Sequence, residues 1–325
     1  MFALDLSENR IRVLELLRKG NQISLAGVGE KEFNAKEEIP SLLKTLVSQT
    51  KPHPIKSVDV AFAIPEEESF TKIVQLPKKE PEELKLLLKE EVGKILPYSQ
   101  EEVYWDWKVT GPQPKENAEH LDIIIVAAPK KIVDSYTALI EESHFYPALI
   151  ETEANALLWG VFDPLSIHPK EKEEPILVVN LGTAKITIVI FAKGAIRFSS
   201  SMKTGIAVSE PPDYLAMEWS QWVKTNKKDW LLTEKALMTL GAKINEYIEY
   251  YKGHLIHSHE KNSEEAMSIV ISGAWANFPE LLDVLGKKLK IPITKQKTPF
   301  SLHPSYTVAL GLALRGVYEE YATAI

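Results

Sequence analysis

Apolar positions along this chain follow two rhythms. Some alternate or run on in short Val- and Ile-rich blocks, as buried strands do; others recur every three to four residues, as one face of a helix does. The first kind opens the chain: residues 2–6 and 11–16 are apolar blocks around a polar link, which predicts a hairpin. A near-copy lies half a chain away, where residues 176–179 and 186–191 flank a link running from Asn180 to Lys185. Gly182 in that link has no Cβ to keep an anion from the backbone. Asp5 holds in the first hairpin the place of Asn180 in the second. Two similar hairpins predict two similar lobes facing a cleft.

The pattern next predicts a strand at 22–29, a helix at 37–49, a turn at 51–54 and a strand at 58–64 stopped by Pro65. That order belongs to an α/β domain with a mixed sheet. From Pro65 the texture changes. A strand at 71–76, a helix at 81–96, strands at 104–109 and 121–128 and a helix at 130–143 make a small inserted α+β unit, with helices covering one sheet face. A strand at 147–150 and a helix at 153–162 return to the first lobe, and the Pro- and charge-rich stretch 163–174 marks a lobe boundary. Beyond the second hairpin come a strand at 197–201, helices at 213–225 and 229–257, and a strand at 267–271. A helix at 278–289, an edge strand at 292–295 and a closing helix at 305–318 follow. The expected organisation is a first lobe of 1–65 and 146–165, to which 305–325 returns, an insert at 66–145 and a second lobe at 166–304.

Composition narrows the setting. The 325 residues suit two domains better than one small core. A formal net charge of −7 argues against a general nucleic-acid binder, which carries a basic stripe. With no cysteine, disulfides and thiolate metal sites are excluded, and a reducing cytoplasm is permitted. No apolar run approaches the ~18–20 residues of a membrane span. The opening FALDL is too short and too acidic for a signal peptide. A soluble protein is expected, held at any membrane by something else.

Several stretches carry more than periodicity. They are the opening LDLSENRIRVLEL, the segment FTKIVQLPKKEPEELKLLLKEEVGKILPYSQEEVYWDW, then IIIVAAPKKIVDSYTALIEES with ETEANALLWG. The second hairpin VVNLGTAKITIVIFAKG, the strand-turn IVISGAWANFPELLDVL and the close YTVALGLALRG complete the set. Through them the chain resembles, nearly end to end, the type IV pilus assembly protein PilM family, relatives of the cell-division protein FtsA in the actin-like ATPase superfamily. The resemblance implies an α/β, actin-like (ribonuclease H-like) two-lobed fold with an FtsA-type inserted α+β subdomain. It implies a cytoplasmic scaffold of the inner-membrane pilus platform, peripheral to that membrane through partners. Such a scaffold binds the N-terminal cytoplasmic tail of a PilN-like membrane protein near the insert, with pilus motor ATPases as further partners and self-association left open. A membrane tether like FtsA is a rival reading. FtsA-like proteins end in a basic amphipathic helix; the close EEYATAI is not one, which counts against direct membrane insertion.

In that superfamily two hairpin turns and a Gly-rich turn grip ATP and Mg²⁺. The first turn, Asp-Ile-Gly-Ser-Ser-Ser in the family, reads Asp5-Leu6-Ser7-Glu8-Asn9-Arg10. Ser7 adds a side chain where phosphate approaches. Glu8 adds a negative charge, which beside phosphate costs about 4 kcal/mol per unit charge at ~4 Å and an effective dielectric of ~20, less whatever Arg10 offsets. The second turn, usually Asp-Ile-Gly, reads Asn180-Leu181-Gly182-Thr183. It keeps the glycine and the hydroxyl and loses the acid, and Asn is a poorer ligand for a hard cation. Asp5 remains as an acid that reaches a metal through water. The adenine-side turn reads Gly273-Ala274-Trp275-Ala276, whose indole either fills the base pocket or turns away and packs.

The resemblance thus outlines a vestigial nucleotide cleft from Ser7, Asn9, Arg10, Asn180, Gly182, Thr183, Gly273 and Ala274. Asp5 and Glu153 are its candidate catalytic acids, and Glu153 equally suits a helix-start carboxylate serving the dipole. Three readings stay open: a pseudo-ATPase scaffold without cofactor, a protein holding ATP/Mg weakly as a clamp between lobes, and a working ATPase that drives assembly.

Other features point to ordinary structure. His254, His257 and His259 lack the ligand spacing of a zinc site and suit a solvated helix end. Ser199, Ser200 and Ser201 have no nucleophile elbow around them. Trp219, Trp222 and Trp230 fall on helices and read as packing residues. Trp105 and Trp107 share one strand face, which either meets a partner or packs under the helix at 81–96.

Overall fold

In the computed structural model β1 (Phe2–Ser7) and β2 (Arg10–Lys19) pair antiparallel, leaving only Glu8 and Asn9 to turn the chain. Both turn residues have left-handed backbone, φ 58° and 59°. This is the two-residue turn whose twist matches the flanking strands. The structure describes residues 1–110, 119–162, 174–192, 194–203, 227–254, 267–278 and 281–323. The expected helix at 213–225 with Trp219 and Trp222, most of the stretch 163–174, His257 and His259 lie outside them, as do the side chains of Trp230 and His254.

With β3 (Gln22–Glu32), the short edge strand β4 (Lys51–Pro52), β5 (Asp59–Ile64) and β9 (Tyr146–Thr152), this hairpin forms a six-stranded sheet ordered β4-β3-β2-β1-β5-β9. β1–β5 and β5–β9 are parallel, so the sheet is mixed, as the element order predicts. The second sheet repeats the plan. Its hairpin is β10 (Ile176–Leu181) and β11 (Lys185–Ala192), extended by β12 (Ala195–Lys203) on one side. β13 (Ser268–Ser272) and β14 (Ile293–Lys295) add in parallel on the other, giving β12-β11-β10-β13-β14 with β14 at the edge.

The third sheet, antiparallel in the order β6-β8-β7, is built from β6 (Phe70–Pro77), β7 (Val103–Thr110) and β8 (His120–Pro129). Helix α2 (Pro81–Ile95) lays its stripe of Leu84, Leu88 and Val92 on Ile123 and Ile125. Trp105 and Trp107 are half-buried against the same core, so that face packs. Tyr104, on the opposite face, is exposed; the Lys130 ammonium sits 5.4 Å from its ring centroid and its hydroxyl donates to Asp134 at 3.2 Å.

One helix departs from expectation. α3 (Lys130–Glu142) reads in sequence as a cover for the insert's sheet. It instead buries Val133 and Ile140 with Phe2, Leu4, Val60 and Phe62, beside α1 (Ile39–Gln49) on the first sheet. An amphipathic stripe fixes which face of a helix is buried, not against what.

Two helices join the halves. α4 (Glu153–Phe162) buries Ala156 with the first sheet's core and Leu157, Leu158 and Phe162 with Val178 and Val189 of the second. It crosses α7 (Thr307–Thr323) where Gly160 and Gly311 let the two backbones touch. Beside the crossing is a buried polar knot: Ser272 Oγ donates to Gln296 Oε1 at 2.5 Å, Ser272 and Thr307 hydroxyls meet at 2.6 Å, and Gln296 Nε2 donates to the Gly160 carbonyl at 2.7 Å. On one face of the second sheet, α5 (Lys227–His254) and α6 (Leu281–Leu289) bury Leu237, Ile244, Leu281 and Leu285.

Candidate functional site

The two hairpins match position for position. Asp5 pairs across strands with Arg12, and Asn180 with Thr187. Ser7 faces Arg10 in one, and in the other the Gly182 N–H donates to the Lys185 carbonyl at 3.0 Å. Their turns, with the end of β13, enclose a cleft lined by Asp5, Ser7, Glu8, Arg12, Glu153, Asn180, Gly182, Lys185, Gly273, Ala274, Ser305 and Val308. The free space is about 20 Å³, room for about one water molecule.

Charged side chains take up the rest. Glu8 Oε1 accepts the Ala184 N–H at 2.9 Å, across the cleft. Arg12, 3% exposed, lies 3.5 Å from Asp5, 3.9 Å from Glu8 and 3.3 Å from Glu30, and donates to Ser7 Oγ at 3.2 Å. Burial pushes the Asp5 carboxyl above the usual range, against the pull of Arg12 and Ser7. Gly273 has φ 90°, and a Cβ there would lie 2.5 Å from the Leu181 carbonyl oxygen. Only glycine lets the β13 turn close on the end of β10.

Deeper in, Glu153 heads α4 with three donors on one carboxylate: Lys185 Nζ at 2.6 Å, Thr187 Oγ1 at 2.7 Å and the Glu66 N–H at 3.1 Å. Lys185 also reaches Glu67 at 2.9 Å. Burial favours the neutral amine, but Glu153 and Glu67 outweigh it and hold the Lys185 proton more tightly than usual. Glu66 is buried beside this group with Oε2 unpartnered. Burial raises its pKa from 4.5 to about 7, against a hydrogen bond from Ser199.

Glu66 thereby makes stability pH-dependent. Between pH 4.5 and 7 the folded chain keeps a proton that the unfolded chain releases, so stability falls as pH rises through that window. The loss is on the order of 3 kcal/mol. Glu66→Gln is expected to be more stable than wild type at pH 8 by that amount and nearly equal to it at pH 4.5. Urea midpoints at the two pH values read the difference; parallel pH curves would contradict it.

Of the residues singled out from sequence, Asp5, Ser7, Asn180, Gly182, Gly273, Ala274 and Glu153 meet at the cleft. Three do not line it. Asn9 is exposed at the turn tip, and Thr183 is half-buried in its own turn. Arg10 bonds Glu32 at 2.6 Å, its cross-strand neighbour. The cation that faces Glu8 is therefore Arg12, two residues on. Trp275 is fully buried against Phe278, ring centroids 5.4 Å apart, and packs rather than lining the cleft. Sequence reading missed Arg12, Lys185 and Glu66 as members. For Arg12 and Lys185 the signal was present, charged residues on otherwise apolar strands; Glu66, in the short helical turn Glu66–Glu68, carried none. Among the described residues, no group of three or more His, Cys, Asp or Glu is arranged to hold a metal ion.

The family model for the type IV pilus assembly protein PilM matches residues 3–207, well over half of the chain. This chain belongs to the PilM family. The match runs from the first hairpin through the third sheet to the end of β12. No curated protein matches the sequence. Among solved structures, the PilM-PilN type IV pilus biogenesis complex has a chain similar at TM-score 0.75 and 18% identity, over 97% of this chain and 98% of that one. The ethanolamine utilization protein EutJ of Carboxydothermus hydrogenoformans is similar at TM-score 0.53 and 10% identity, over 96% and 88%. MreB 5 of Spiroplasma citri, bound to AMPPNP, is similar at TM-score 0.52 and 11% identity, over 100% and 98%. The fold is actin-like.

For the nucleotide that a PilM-type fold implies, the donor set is the test. Phosphate needs the N–H groups of the β10–β11 turn, and Glu8 holds one of them with its own negative charge. At the cation position the neutral Asn180 stands in place of an acid. As arranged, these residues do not fit a Mg-bound triphosphate.

Proposed function

We propose that this chain is a scaffold of a type IV pilus inner-membrane platform that docks the cytoplasmic N-terminal tail of a PilN-like membrane protein beside the third sheet, and that it does so without turning over nucleotide. The family match over residues 3–207 carries the reading, because it takes in the whole β6–β8 unit. The likeness to a chain of a PilM-PilN complex agrees with it. Among the described residues no helix is long and apolar enough to cross a membrane, consistent with attachment through a partner. Glu8 in the phosphate turn supports the second half of the reading.

The test titrates a synthetic peptide of the cytoplasmic N-terminal tail of a PilN-like membrane protein into the full-length protein. Micromolar binding is expected by calorimetry, with slowed amide exchange confined to the third sheet and its flanks. Absence of binding, or protection elsewhere, rejects the docking site. Sustained Mg-dependent ATP hydrolysis by the purified chain rejects the scaffold-only reading.

A further inference from the structure

We propose that Glu8 is an internal anion: its carboxylate fills the backbone seat of the β10–β11 turn and clasps the two sheets in the place a phosphate would take. The inference deepens the non-cycling cleft of the reading above and rests on it for context, but its evidence is the placement of one side chain. Glu8 Oε1 accepts the Ala184 N–H at 2.9 Å although 176 residues separate them. A Cβ on Gly182 would overlap that same oxygen, so the carboxylate lies flush on the glycine. Its other oxygen faces Arg12 Nη2 at 3.9 Å. The side chain is 7% exposed, although it springs from a hairpin tip.

The turn itself argues the same way. Two-residue turns of this type favour Gly, Asn or Asp, because left-handed backbone crowds longer side chains. Asn9 obeys that preference; Glu8, at φ 58°, does not. A shorter acid at position 8 would turn the chain more easily but would stop short of the opposite turn. Backbone N–H groups beside a glycine seat any compact oxyanion. Glu8 and a phosphate group cannot both hold the Ala184 N–H, and at such range their charges repel. The ligand class that would occupy the turn with Glu8 withdrawn is therefore a phosphate or a polyphosphate tail.

Glu8→Gly suits the left-handed backbone, so it removes the carboxylate without straining the turn. Glu8→Gln keeps an acceptor and removes only the charge. The probe is inorganic triphosphate, titrated into full-length wild type and both variants by calorimetry, with amide exchange at Ala184 followed in parallel. Glu8→Gly should bind triphosphate on the order of tenfold more tightly than wild type, or better. Its Ala184 amide should exchange about tenfold faster and slow again when triphosphate is added. Glu8→Gln should fall between the two in affinity. Equal triphosphate affinity in wild type and Glu8→Gly, or an Ala184 amide equally protected in both, overturns the proposal. Tail docking is measured on wild type alone, so its failure would leave these readouts intact.

Discussion

Gly311→Val is expected to destabilise the protein by about 4 kcal/mol, the largest loss from any single added side chain at the α4–α7 crossing. A Cβ on Gly311 would overlap the Ala156 carbonyl oxygen and lie 2.8 Å from the Gly160 N, and one on Gly160 would overlap the Thr307 carbonyl. All of these are backbone atoms, so no side chain can swing aside and the helices must part. Two opposing effects decide the sign. Replacing a helical glycine gains up to about 1 kcal/mol in propensity, whereas overpacking against fixed atoms costs about 3 kcal/mol or more. Valine, being β-branched, recovers less of that propensity than alanine does. Gly286→Ala on α6 is the control, because a Cβ there meets nothing within 4 Å. It should leave stability equal or raise it by up to about 1 kcal/mol. Urea denaturation of the two variants reads both; a Gly311→Val midpoint near wild type would show that the crossing relaxes freely.

Glu153→Ala should cost about 3–5 kcal/mol, because one small change takes an acceptor from three donors and strands two of them. Lys185 keeps only Glu67, while Thr187 and the Glu66 N–H lose their acceptor inside the protein. Thr187 is fully buried, so solvent has no direct route to its hydroxyl. Glu153→Gln keeps an oxygen acceptor and loses the charge, and should recover part of the loss. The midpoint difference between the two variants separates charge from hydrogen bonding. A Glu153→Ala loss below about 1 kcal/mol would mean that water enters and serves the donors.

The paired hairpins were legible because apolar blocks of matching length flank matching polar links, and backbone pairing follows from that pattern alone. Register then carried Asp5, Ser7, Asn180 and Gly182 to one cleft. Direction was not legible. Sequence gives Glu8 its charge but not its reach, so a residue read as repelling phosphate turned out to bond the opposite turn. Arg10 and Arg12 look alike in the string; only cross-strand pairing sends one to Glu32 and the other into the cleft. Trp275 lies two residues after the glycine at the end of β13, a place shared by pocket walls and core residues, and only its contact with Phe278 assigns it to the core. The partner of α3 was hidden for a related reason: long-range packing leaves little trace in local periodicity.

The knot of Ser272, Gln296 and Thr307 holds no ionisable group, while Glu8, Arg12, Glu67, Glu153 and Lys185 supply charge to the contacts around the neighbouring cleft. The molecule therefore has two seams of different temper. Salt screens the more exposed of the charged contacts and leaves the neutral knot as it is, so ionic strength acts on one seam alone.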